Sequence, residues 1–208
     1  MLIFDYIVAA VVAYFIGSFS ASIFLSETLL GRDVRNEGSG NAGATNMARS
    51  YGIWMGILTL LCDFIKALLA VWLSRRIIGD WGLFVGGFAC LLGHCFPVYY
   101  QFKGGKGIST GAALGLCIGW QVLAVLVAAF AMGAGLSRKV SVGSVVAALS
   151  LVPAVFLLGA PLPGKLLSVC GAVLVIWRHR ENILRVIKGT EPDFKAGEDK
   201  LKEIKHEK

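Results

Sequence analysis

The chain has 208 residues, 56% of them hydrophobic and only 16% charged, with a mean hydropathy of +0.72. Those values exclude an ordinary water-soluble domain and point to one helical domain folded in lipid. The formal charge of +7 does not indicate nucleic acid, because the basic residues fall in short connections between apolar runs, where they set orientation and can hold anions.

The first apolar run, residues 4–30, carries Asp5 at its front and no small-residue cleavage pattern behind it. It is expected to stay as a span and not to be removed as a signal peptide. Further spans are predicted over residues 53–73, 81–100, 142–158 and 162–177. Inside the second, Asp63 and Lys66 are three apart on one helical face, where they can pair instead of facing lipid alone.

Residues 107–136 are harder to assign. As one helix they would be about 45 Å long, too long for the hydrocarbon core without strong tilt. Gly119-Trp120-Gln121 offers a break with an interfacial aromatic, and charge decides between one span and two. Undivided, the run gives six spans with six basic residues on one side and eight on the other. Divided at Gly119, it puts eleven on one side (Arg32, Arg35, Arg49, Lys103, Lys106, Arg138, Lys139, Arg178, Arg180, Arg185 and Lys188) and only three, Arg75, Arg76 and Lys165, on the other. The prediction is therefore an all-α, polytopic protein of seven transmembrane helices, N-terminus outside and C-terminus cytoplasmic. Gly111, Gly115 and Gly119, spaced by four, are expected to let one of the short divided helices pack closely on a neighbour. Residues 1–190 form the transmembrane domain, and 191–208 a charged cytoplasmic tail, frayed or amphipathic. The five cysteines are odd in number, lie in apolar runs and show no ligand spacing, so they are expected to be reduced packing residues.

Under this topology every unusual polar segment lies on the cytoplasmic side. Residues 35–49, RNEGSGNAGATNMAR, combine three glycines with hydroxyl, amide and guanidinium donors. The glycines allow close approach of backbone N–H groups to an anion; a plain polar turn is the alternative. Residues 93–110, GHCFPVYYQFKGGKGIST, set Lys103 and Lys106 on a glycine-rich turn that opens an apolar helix, another place for an anion. The same turn also reads as a positive-inside anchor, with His94 capping the third span, and Walker A spacing is absent. The third segment comprises Arg138, Lys139 and Ser141 with RHREN at residues 178–182, where His179, Glu181 and Asn182 add groups that orientation does not need. No HEXXH, Cys/His cluster or run of aspartates would hold a metal, His is nowhere followed by Asp five residues later, and GxSxG is missing.

In order and after the expected spans, GSGNAGATNMAR, GHCFPVYYQFKGGKGIST and RHREN resemble the motifs of the PlsY family of acyl-phosphate:glycerol-3-phosphate acyltransferases, over nearly the whole membrane region. The resemblance implies seven helices and transfer of a fatty acyl group from acyl-phosphate to glycerol 3-phosphate, yielding lysophosphatidic acid and phosphate as the first step of phospholipid synthesis. It implies Ser39, Arg49, Lys106, Ser141, His179 and Asn182 as catalytic residues. Substrate-binding groups are implied at Gly38, Gly40, Asn41, Gly43, Thr45, Asn46, Lys103, Gly104, Gly105, Gly107, Arg178 and Glu181, the glycine loops supplying backbone donors. The implied setting is a multi-pass protein of the bacterial inner membrane with its site facing the cytoplasm. Its expected partners are the two substrates and membrane lipid, with no nucleic acid, no cofactor and no metal, and its expected functional unit is a monomer. An acyl-phosphate is a mixed anhydride with a good leaving group, so cations and donors without an evident base fit direct transfer. Arg49, Lys106 and His179 would offset the repulsion between two phosphates, the acceptor's own phosphate taking the hydroxyl proton. A transporter of an organic phosphate is the alternative, since glycine-rich breaks also build membrane binding sites. The short, nearly featureless outer connections, residues 74–80 and 159–164, argue against it.

Overall fold

The computed structural model describes residues 2–197, and among them every regular element is helical. The first apolar run makes two helices, α1 (Ile3–Ser18) and α2 (Ala21–Leu30), not the single span expected over residues 4–30. The cause lies in α4 (Ile53–Ile78). Buried Lys66 reaches across and donates to the Phe19 carbonyl at 2.6 Å, so the break satisfies a cation that lipid could not. Asp63 Oδ1 stands 2.7 Å from the same ammonium, as the spacing predicted.

Between α2 and α4 the first motif forms a short 3₁₀ turn, Val34–Asn36, and an eight-residue helix, α3 (Ala44–Tyr51), which periodicity did not reveal. From α4 the chain turns through Gly79–Trp81 into α5 (Gly82–Cys95). Helix α5 stops well short of the expected residue 100, because Pro97 has no N–H to continue it and biases Phe96 away from helix. Helices α1 and α5 touch backbone to backbone: a Cβ on Gly93 would lie 2.3 Å from the Tyr14 carbonyl oxygen.

Gly119 interrupts the disputed run and yields α6 (Ile108–Ile118) and α7 (Trp120–Ser137). The two fold back on each other where Gly115 meets Leu126, a Cβ there standing 2.7 Å from Leu126 Cδ1. A second hairpin joins α7 to α8 (Val140–Leu157) at Gly133 and Gly143. Helix α9 (Leu162–Arg178) returns to the end where the first motif lies, and the short α10 (Arg180–Ile187) follows it. Four helical stretches are long and apolar enough to cross a membrane by length and composition: Ile3–Leu30, Ile53–Tyr100, Trp120–Ser137 and Val140–Leu157. All five cysteines are free thiols.

Residues 191–197, expected as the start of a tail, pack on the body. Phe194 N donates to the Arg138 carbonyl (3.1 Å), Gly197 N to that of Ala48 (3.0 Å), and Lys139 pairs with Asp193 (2.6 Å). Residues 198–208 of that tail lie outside the described residues.

Candidate active site

The three motifs meet at one end of the bundle around a cavity of about 450 Å³. Its wall is assembled from the first-motif loop and α3, the start of α6, the start of α8, the α9–α10 junction and Glu191. Of the residues expected to act, Gly38, Ser39, Asn41, Gly43, Thr45, Asn46, Arg49, Lys106, Gly107, Ser141, His179 and Asn182 all line it.

Asn46 shapes the first loop. Almost wholly buried, it accepts from Ser39 N (2.8 Å) and Ser39 Oγ (3.1 Å) and donates to the carbonyls of Val34 and Glu37 (both 3.0 Å). The loop can press this close because Gly38 has φ +54° and no side chain, while a Cβ would stand 2.4 Å from Asn46 Oδ1. Three helix N-termini, those of α3, α6 and α8, open into the cavity through Ala44–Thr45, Ile108–Ser109 and Val140–Ser141. Their unpaired N–H groups and positive dipole ends favour anions before any side chain is counted.

Cations add to this field. Arg49 lines the cavity, and its side chain makes no hydrogen bond or ion pair among the described residues, leaving the guanidinium for a ligand. Lys106 donates to Asn182 Oδ1. Burial, and next the charge of nearby Arg185, pull its ammonium down to about 8. Asn182 in turn donates to Glu191 Oε1 (2.7 Å), and Arg185 Nε to Glu191 Oε2 (2.7 Å). Burial pushes the Glu191 carboxyl up, but Ser141, Asn182 and Arg185 together outweigh it and hold the group below its ordinary range. Ser141 Oγ is near enough to help in this yet has no partner in hydrogen-bonding geometry. Burial dominates His179 as well and brings it down to about 4, so the imidazole is neutral at pH 7. Its Nδ1 lies 2.8 Å from the Val175 carbonyl, which only accepts; Nδ1 therefore carries the proton and Nε2 an open lone pair. His179 is thus an acceptor and not the cation expected from the sequence.

Six expected ligands stand outside the cavity wall. Lys103 is exposed, and Glu181 is exposed with Arg180 at 3.6 Å. Gly40 turns the first loop, its N–H donating to the Glu37 carbonyl (2.9 Å). Gly105 does not offer the backbone donor expected of it, and Gly104 lies away from the cavity wall. Gly105 N donates to the His94 carbonyl (3.1 Å), and both glycine carbonyls accept from Arg178, at 3.0 and 3.2 Å. Arg178 stacks on Phe96 and braces this turn. A Cβ on Gly105 would lie 2.2 Å from His94 Nε2, so the turn carrying Lys106 rests on buried His94, itself 3.1 Å from Lys66. Asp63, His94, Arg185 and Glu191 also line the cavity and were not among the expected site residues.

A second cavity of about 350 Å³ continues from the first. It is almost wholly apolar, runs among α4 to α9, and shares Leu60, Gly107, Ile108, Ser109 and Phe130 with the polar one. Leu60 on α4 and Val127 on α7 belong both to its wall and to the exposed surface of the bundle.

Residues 7–189 match the family model described as glycerol-3-phosphate acyltransferase. Relatives of that name include one from Symbiobacterium thermophilum, 44% identical over 184 residues (88% of this chain, 91% of the relative). Another, from Finegoldia magna, is 38% identical over 188 residues (89% and 94%). Among solved structures, PlsY, an integral membrane glycerol 3-phosphate acyltransferase, superposes in its glycerol 3-phosphate form with a TM-score of 0.86 at 33% identity, covering 91% of this chain and 96% of that one. Its lysophosphatidic acid form gives 0.84 at 31% identity, with 91% and 95% covered. Motifs, fold and relatives agree, and the chain belongs to the PlsY family of integral membrane glycerol-3-phosphate acyltransferases.

Proposed function

We propose that this chain, acting as a monomer, transfers a fatty acyl group from acyl-phosphate to the 1-hydroxyl of glycerol 3-phosphate, releasing phosphate and lysophosphatidic acid. The observation that carries the reading is the junction of the two cavities. A polar, cation-lined chamber suits two phosphates, an apolar channel suits an acyl chain, and the bond that forms must lie where they meet.

The acceptor hydroxyl attacks the acyl carbon, and the bond from that carbon to the phosphate oxygen breaks. Arg49, Lys106 and the helix N-termini offset the charge of the two phosphates. The proton goes to the acceptor's own phosphate, whose second pKa of about 6 makes it a stronger base than His179 at about 4. His179 Nε2 orients the hydroxyl. Neither serine has an evident base: Ser39 Oγ donates to an amide oxygen, and Ser141 Oγ is unpartnered. Transfer is therefore direct, without an acyl-enzyme.

The site faces the cytoplasm of a bacterial inner membrane in this reading. Helices α1, α4, α5, α6, α7, α8 and α9 are the seven spans, with α2, α3 and α10 at the surface. Hairpins at Gly79–Trp81, Gly119 and residues 138–139 alternate their direction. The eleven basic residues then share the motif end, against three at the other, and the positive-inside rule sets that end in the cytoplasm.

The test is turnover by the purified protein in a lipid bilayer, offering glycerol 3-phosphate with palmitoyl-phosphate, palmitoyl-CoA or palmitoyl-carrier protein. Lysophosphatidic acid is expected from the first donor alone. Robust turnover with either thioester would refute the donor assignment.

A further inference from the structure

The glycines that line the apolar cavity or pack the bundle differ in what surrounds them. Gly17, Gly93, Gly115 and Gly143 are pressed against neighbouring helices: a Cβ on them would stand 2.2 Å from Cys90 O, 2.3 Å from Tyr14 O, 2.7 Å from Leu126 Cδ1 and 2.6 Å from Phe130 O. Helix packing accounts for their missing side chains. Gly111 on α6 and Gly171 on α9 differ. A Cβ on Gly111 would meet nothing within 4 Å, and one on Gly171 only Leu91 Cδ2 at an ordinary 3.6 Å. Neither has a positive φ that would demand glycine, and glycine is a poor helix former. Both line the apolar cavity. What these two residues contribute is empty volume in the channel.

We infer that Gly111 and Gly171 are the specificity-determining positions for the acyl chain, Gly111 keeping the channel passable beside the reacting groups and Gly171 keeping it deep. The inference rests on assigning this cavity to the acyl chain. Gly111 lies two residues beyond Ser109, where the cavities meet, only about 3 Å of helix rise. Gly171 lies eight residues from His179, about 12 Å along α9. An extended alkyl chain with bonds of about 1.5 Å advances about 1.3 Å per carbon, so roughly nine carbons reach Gly171. Side chains lean towards the N-terminus of their helix. On α9 that direction is away from the polar chamber, and on α6 it is towards it. A leucine at 171 therefore closes the far part of the channel, whereas a leucine at 111 closes its mouth.

The experiment compares octanoyl- and palmitoyl-phosphate as donors for the unchanged protein and for Gly171→Leu, Gly171→Ala and Gly111→Leu in the same bilayer, with thermal unfolding as the folding control. Gly171→Leu is expected to lower the palmitoyl-to-octanoyl rate ratio at least tenfold while octanoyl turnover stays within threefold. Gly171→Ala should lower the ratio about threefold, which keeps the idea testable should the leucine variant not fold. Gly111→Leu should cut both rates at least tenfold. A folded Gly171→Leu that loses both donors equally, or neither, overturns the proposal, as does an unchanged ratio in Gly171→Ala. Binding of 1-octanoyl- and 1-palmitoyl-glycerol 3-phosphate, read as thermal stabilisation, repeats the comparison without any donor. If the unchanged protein uses neither acyl-phosphate, the donor assignment fails, and the chain-length proposal still stands or falls on whether Gly171→Leu selectively loses the palmitoyl compound.

Discussion

Raising the pH should silence this site through Lys106. Burial and the neighbouring Arg185 place its ammonium at about 8, more than two units below an exposed lysine. The depressed value means that the group is cationic below about pH 8 and neutral above it, so charge stabilisation is lost as pH rises. One unit above, at pH 9, about one molecule in eleven keeps the proton, and kcat/KM for glycerol 3-phosphate should fall about tenfold from its value at pH 7. An ordinary lysine would lose almost nothing there. The substrate does not confuse the comparison of pH 7 with pH 9, since a phosphate monoester with a second pKa of about 6 is already about nine-tenths dianion at pH 7. Bound phosphate raises the Lys106 pKa again, so kcat at saturation should hold to a higher pH than kcat/KM. Lys106→Arg removes the titration: the profile should be flat to pH 10, at a lower rate because a planar guanidinium does not reproduce the ammonium's contact with Asn182. The assay is initial phosphate release in bilayers between pH 6.5 and 10 at subsaturating acceptor. A wild-type kcat/KM that stays level to pH 10, or a parallel fall in Lys106→Arg, would refute the reasoning.

Asn46→Ala removes all four hydrogen bonds that hold the first loop; at about 1 kcal/mol each the loop should lose roughly 4 kcal/mol, seen as a lowered unfolding midpoint and at least a hundredfold drop in turnover. Gly105→Ala would place a methyl 2.2 Å from His94 Nε2, so the Lys106 turn must shift, and activity should fall at least tenfold with the protein still folded. Incubation with acyl-phosphate alone should leave Ser39 and Ser141 unmodified by mass spectrometry; an acyl ester on either would sink direct transfer. Single cysteines at Ser137 and Gln121, in a cysteine-free background, should be labelled from opposite sides by an impermeant thiol reagent, and labelling from one side only would contradict seven spans.

How far the sequence reached depended on whether a signal was local. Membrane class and the break at Gly119 followed from hydropathy, from the length of a helix against the thickness of lipid, and from charge counted across connections. The motifs could be found because their glycines, hydroxyls and basic residues are consecutive. Helix α3 was hidden inside the first motif, since eight residues carry too little periodicity to stand out, and the division of α1 from α2 was invisible because its cause, Lys66, sits 47 residues beyond Phe19.

The same limit separates residues by role within the site. Composition along the chain determined that Ser39, Arg49, Lys106 and His179 are unusual polar groups in an apolar protein. Only the tertiary structure decided what each one faces. It turned Lys103 outward, spent the Gly104 and Gly105 carbonyls on Arg178, aimed three helix N-termini at one chamber and brought Glu191 from a charged tail against Asn182 and Arg185. It also made His179 a neutral acceptor, because burial disfavours the imidazolium and the Val175 carbonyl holds the one remaining proton on Nδ1. Sequence records which groups a chain owns, whereas desolvation and long-range pairing, which set their charge and direction, exist only once distant segments have been brought together.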